Sequence, residues 1–144
     1  MVLSIALTGC GYKSFKEKGQ WQDFPGIFTA IEATDLELYR KILPKEFEMP
    51  DRPVVAMFIV DYVIVVPWPM TPYLEGAVAL SCKYKGQDTW HVITMPVTKK
   101  VACIGGRLLG FPKYVADEIT LKKDGDNWKA KVTHEGVTRM SLEF

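Results

Sequence analysis

The chain has 144 residues, 48% of them apolar and 24% charged, a balance that fits one domain large enough to bury a single core. The formal net charge is +1 with Lys and Arg spread along the chain, so there is no basic stripe for a phosphate backbone and nucleic acid is excluded as a partner. Cys10, Cys82 and Cys103 lack C-x-x-C spacing, and His91 and His134 have no neighbour at metal-ligand spacing, so the thiols read as small buried groups and no metal is expected.

At the N-terminus, Leu7-Thr8-Gly9-Cys10 looks like the cleavage box of a bacterial lipoprotein. No basic residue precedes it, and nine residues are short for a signal segment. A cytoplasmic location is therefore expected, with a lipid anchor through Cys10 as the alternative if the true start lies upstream. Lys13 to Gly26 is polar and reads as an irregular lead-in held by Trp21 and Phe24. Ile27 to Ala33 predicts a strand. Thr34-Asp35-Leu36-Glu37 then supplies a capping box for a helix through Leu36, Tyr39, Ile42 and Leu43, ended by Pro44.

Val54 to Val66 is β-branched and aromatic enough for one long strand or two short ones. The apolar run as far as Met70 is broken by Asp61, Pro67 and Pro69, which rules out a membrane span. Gly76 to Tyr84 and Thr89 to Met95 predict two strands joined by a turn at Lys85-Gly86-Gln87-Asp88. A short helix is expected from Thr98 through Val101, Ile104 and Leu108, stopped by Gly110 and Pro112. Ile119 to Lys123 and Trp128 to Thr133 flank Asp124-Gly125-Asp126-Asn127, the clearest hairpin signal, and Val137 to Phe144 supplies a last strand. The expected fold is mainly β with two short helices, built as an antiparallel barrel or sheet.

The segment with most chemical content is Arg107-Leu-Leu-Gly-Phe-Pro-Lys113. Pro112 fixes the backbone so that Lys113 leaves a turn between Phe111 and Tyr114, whose rings can keep water from the amine. Taken alone, Lys113 is one of fourteen lysines, and a lysine is usually a solvated surface group.

Gly106-Arg107 followed by Gly110-Phe111-Pro112-Lys113 resembles the pattern of the acetoacetate decarboxylase-like superfamily, in which a Gly-Arg pair precedes a turn holding a Schiff-base lysine. Thr34-Asp35 through Lys41-Ile42-Leu43-Pro44 is similar to that family's early helix. Tyr73-Leu74-Glu75 is similar to the segment that carries an acidic residue into its pocket. The likeness covers roughly residues 27 to 125, in matching order. It implies a cone-like antiparallel β barrel over residues 1–144, lacking part of the usual C-terminal region, and a homo-oligomer.

It also implies a carbon-carbon lyase that decarboxylates a small 3-oxo acid such as acetoacetate without metal or organic cofactor. Lys113 is then the nucleophile, and Glu75 either positions substrate, shuttles a proton or is an exposed strand-edge residue. Arg107 either binds a substrate carboxylate or holds Glu75 and caps the helix. Among the substrate-binding candidates Tyr73, Tyr114 and Phe111, Tyr114 either lines the pocket or packs in the core, and Tyr73 with Trp68 and Met70 forms either an apolar wall or plain core. Aldol or dehydration chemistry on another carbonyl compound is the alternative within the superfamily, and a non-catalytic small-molecule binding module is the alternative outside it. An ordinary lysine is neutral in only about one molecule in 2,500 at pH 7, so such a site must unload the amine; acetoacetate decarboxylase is itself a known example of an activated lysine. Three positions depart from the family pattern: Tyr114 stands where a second lysine follows the first, Leu108 stands where a glutamate follows Gly-Arg, and no arginine occurs between Lys18 and Tyr39.

Overall fold

The computed structural model describes residues 24–62 and 72–144. Five strands form one sheet in the order β1 (Gly26–Glu32), β2 (Val54–Tyr62), β3 (Tyr73–Tyr84), β4 (Gln87–Val97) and β5 (Lys113–Val115), and β6 (Glu118–Asp124), β7 (Asn127–His134) and β8 (Val137–Glu143) form a second. β1 to β4 are an antiparallel meander, whereas β5 lies parallel to β4. That single parallel pairing follows from α2 (Lys100–Leu108), which carries the chain back over the sheet between β4 and β5, since parallel neighbours need a crossover. Neither sheet closes on itself among the described residues. The expected barrel is corrected to two open sheets.

Local chemistry sets the turns. Lys85 and Gly86 both have positive φ, at 52° and 74°, and form a two-residue connection. This mirror-image turn suits the right-handed twist of the flanking strands, so β4 starts at Gln87 and the expected four-residue turn is shortened. Glu135 and Gly136, at 52° and 71°, make the corresponding turn between β7 and β8. Helix α1 (Leu36–Ile42) is capped by Asp35, whose carboxylate accepts from the Leu38 amide at 2.8 Å. Asp35 thus replaces Thr34 as the cap. Thr98 does not open α2 either, because its hydroxyl accepts the Leu74 amide at 3.0 Å and the helix starts at Lys100.

Alternation along the strands separates the two faces of the five-stranded sheet. Ile27 and Ile59 face the second sheet, where they meet Ile119, Val132, Met140 and Leu142 in the main core. Tyr39 of α1 and Leu43, the residue that caps its C-terminus, pack on Leu80 and Cys82 in a second cluster. A third cluster, Tyr73, Val97, Ala102 and Cys103, seats α2 on the face turned away from the main core. Cys82 and Cys103 are buried, as expected of small apolar thiols; Cys10, Trp21, Trp68 and Met70 lie outside the described residues. No helix among the described residues is long and apolar enough to cross a membrane.

Candidate active site

Strand register assembles the site. Glu75 on β3 is opposite Val97 on β4, Val97 is opposite Val115 on β5, and Met95 is opposite Lys113. Directly opposed residues share a face, so Glu75, Met95, Val97 and Lys113 all point toward α2. Glu75 and Lys113 lie two strands apart, about 10 Å across the sheet. The long lysine stem spans that gap over β4, and the Lys113 ammonium donates to the Glu75 carboxylate.

Both partners are buried, with 8% of Lys113 and 4% of Glu75 exposed. Burial holds the Glu75 carboxyl above the usual carboxylate range, while hydrogen bonding and attraction from Lys113, and a hydrogen bond from Tyr73, pull it partly back. The amine lies 5.9 Å from the centroid of the Tyr73 ring, on its face. Tyr62 packs tilted against Tyr73 with ring centroids 5.0 Å apart, and its phenol is raised by burial and then by the Glu75 charge. The pair therefore stands in an aromatic and apolar setting, where transferring the proton from nitrogen to oxygen removes two buried charges at once.

One face of α2 fixes the lysine backbone. Arg107 Nε donates to the Lys113 carbonyl oxygen at 2.7 Å, and the Cys103 thiol approaches the same oxygen at 3.5 Å. Residues 103 and 107 are one helical turn apart, so two side chains of one helix clamp the strand that presents the amine. Gly110, with φ of 89°, reverses the chain after α2 in a backbone region that other residues rarely adopt.

The residues expected from the sequence divide accordingly. Lys113, Glu75 and Tyr73 come together. Arg107 reaches the lysine through its carbonyl and forms no ion pair with Glu75 among the described residues. Tyr114 alternates to the opposite face, where its ring packs tilted against His134 with centroids 4.5 Å apart, beside the main core. Phe111 is 42% exposed on the turn, so the aromatic shield comes from Tyr62 and Tyr73 instead. Leu108, at 83% exposed, faces away from the pair.

Sequence reasoning missed Met95, Val97 and Cys103, and it singled out Gly106 only as part of the Gly-Arg pair. Period-two alternation in β4 was the available signal for the first two, and the Gly105-Gly106 doublet inside a helix was a further signal at Gly106. No three of His, Cys, Asp and Glu cluster at ligand distance among the described residues.

The profile of the family described as acetoacetate decarboxylase matches residues 26–144. Among solved structures, an acetoacetate decarboxylase superposes with a TM-score of 0.75 at 19% identity, over 85% of this chain and 49% of that one. The acetoacetate decarboxylase of Legionella pneumophila subsp. pneumophila str. Philadelphia 1 gives 0.68 at 21% identity, over 94% and 58%. The enduracididine biosynthesis enzyme MppR, complexed with the condensation product of pyruvate and imidazole 4-carboxaldehyde, gives 0.57 at 17% identity, over 80% and 52%. The chain spans about half the length of these structures. No curated protein matches it. A family profile spanning β1 to the last residue, on a fold that puts a buried lysine against a buried glutamate, places this chain in the acetoacetate decarboxylase family.

Proposed function

We propose that this protein is a Schiff-base-forming lyase, that Lys113 is its nucleophile, and that a small 3-oxo acid such as acetoacetate is its substrate. The observation that carries this reading is the buried Lys113–Glu75 pair. Glu75, held high by burial, is a suitable acceptor for the proton the amine must lose before it attacks. The neutral amine adds to the substrate ketone to give a carbinolamine. Glu75 returns its proton to the departing hydroxyl, and water leaves to form an iminium.

The bond from the α-carbon to the carboxylate then breaks. Carbon dioxide departs and the electron pair passes into the iminium to give an enamine. Protonation at carbon and hydrolysis release a methyl ketone and regenerate the amine. Arg107 and Cys103 keep the Lys113 backbone in place while the nitrogen changes its bonding. The condensation product held by MppR supports aldol-type chemistry as the variant reaction of the same iminium.

Borohydride reduction in the presence of acetoacetate tests the reading. The expected result is a mass gain on the peptide containing Lys113, absent in Lys113→Ala, together with release of carbon dioxide. A trapped adduct without carbon dioxide assigns the aldol or dehydration branch, and an unmodified Lys113 refutes both. A second reading, a binding module without turnover, is favoured by Tyr114, which occupies the position of the family's second lysine and packs on His134 instead of placing a cation beside the amine. Thermal stabilisation by a carbonyl ligand that persists in Lys113→Ala, without turnover, selects it.

A further inference from the structure

Gly105 and Gly106 lie side by side within α2, where glycine is the poorest helix former after proline. Neither has a positive φ, so backbone freedom does not account for them. Their surroundings differ. A Cβ at position 105 would meet nothing within 4 Å, whereas one at position 106 would overlap Cδ of Lys113 and stand 2.5 Å from its Cε and 3.1 Å from its Cγ. Gly106 is also buried, and it sits on the helix face that carries Cys103 and Arg107. Those two side chains hold the Lys113 carbonyl in place, so an added methyl is absorbed by the flexible lysine stem, which it meets at Cδ and Cε, rather than by the strand.

We infer that Gly106 is a positioning residue for Lys113: its bare Cα is the slot through which the lysine stem crosses β4 to reach Glu75, and a methyl group there drives the amine out of the pair. Gly105 has no such role and serves as the internal control, because the same substitution on the same helix adds a Cβ into open space. The inference deepens the Schiff-base reading, yet it rests on packing and is testable without turnover.

The experiment compares the parent chain with Gly105→Ala, Gly106→Ala, Lys113→Ala and Gly106→Ala/Lys113→Ala. Lys113 acylation by a brief pulse of acetic anhydride, quantified on its peptide by mass spectrometry, reports release of the amine, and thermal melts report the clash. Gly106→Ala is expected to raise the Lys113 labelling rate at least tenfold and to lower the melting temperature by more than about 4 °C. Gly105→Ala changes neither for the worse. In the Lys113→Ala background the stem is gone, so Gly106→Ala no longer lowers the melting temperature. Equal labelling in parent and Gly106→Ala, or the same thermal loss with and without the Lys113 stem, overturns the inference. Should Gly106→Ala alone fail to fold, a double variant as stable as Lys113→Ala supports the slot and one that also fails to fold refutes it. A parent chain that forms no borohydride adduct with acetoacetate removes the Schiff-base reading and leaves the labelling comparison intact.

Discussion

Replacing Lys113 with Met keeps an unbranched stem over β4 and removes the cation from Glu75. The carboxylate is then buried without its partner. Removing one member of a buried pair costs about 3–5 kcal/mol, and the small surface-pair value does not apply because the side chains of Lys113 and Glu75 are only 10% and 6% exposed. With an unfolding entropy of about 2 cal/mol/K per residue, that loss lowers the melting temperature of this chain by about 10–16 °C at pH 8.

The pH dependence carries the test. Burial already raises Glu75 in the folded protein, and loss of Lys113 removes the two influences from that residue that lower it. A folded value above the unfolded one of about 4.3 means that the group's favourable contribution is complete below that unfolded value and is lost as pH rises through the folded one. Lys113→Met should therefore lie closest to the parent near pH 5 and fall away toward pH 8. Adding Glu75→Gln should abolish that slope. Melts followed by circular dichroism between pH 5 and 8 on the three proteins check this. A deficit of equal size at every pH, or one that persists unchanged in the double variant, would refute the buried-pair argument.

Three further outcomes follow from the geometry. Arg107→Met removes the donor to the Lys113 carbonyl and should cost about 1.5 kcal/mol, near the low end for a charged donor because the residue is exposed; borohydride adduct yield should fall several-fold while the circular dichroism spectrum is kept. Asp35→Ala should destabilise by about 1 kcal/mol in urea unfolding and Thr34→Ala by less than about 0.5 kcal/mol, since Asp35 is the cap. Tyr39→Phe deletes a hydroxyl hydrogen-bonded to the Ser81 carbonyl at 2.7 Å and the Val54 carbonyl at 3.1 Å, and the unpaired acceptors should cost about 1–3 kcal/mol by the same assay.

Much of this architecture was legible one segment at a time. Alternation and turn residues located every strand except β5, and Gly110 with Pro112 marked the end of α2, because these signals depend on backbone conformations set by neighbouring residues; β5 and the Tyr73–Glu75 start of β3 carried no such local signal. Resemblance in three short segments pointed to Lys113 and Glu75. What the sequence left open was whatever depended on partners distant in the chain. Tyr114 is adjacent to Lys113 in the chain yet serves the main core, because consecutive strand residues point to opposite faces. Phe111 flanks the lysine in sequence and is left on an exposed turn. Arg107 was read either as a binder of a substrate carboxylate or as a structural residue capping α2 and holding Glu75, and the end of α2 brings it to the carbonyl of Lys113.

By itself, then, the sequence determined which residue types were available for imine chemistry and where the chain turns, since composition, spacing and backbone preference are local properties. Only the tertiary structure decided that the amine meets Glu75 across an intervening strand, that the face of α2 clamps its carbonyl, and that Gly106 leaves room for its stem. Register across β3, β4 and β5 and the crossover through α2 create those contacts between residues as many as 38 positions apart, a separation at which local preference carries no information.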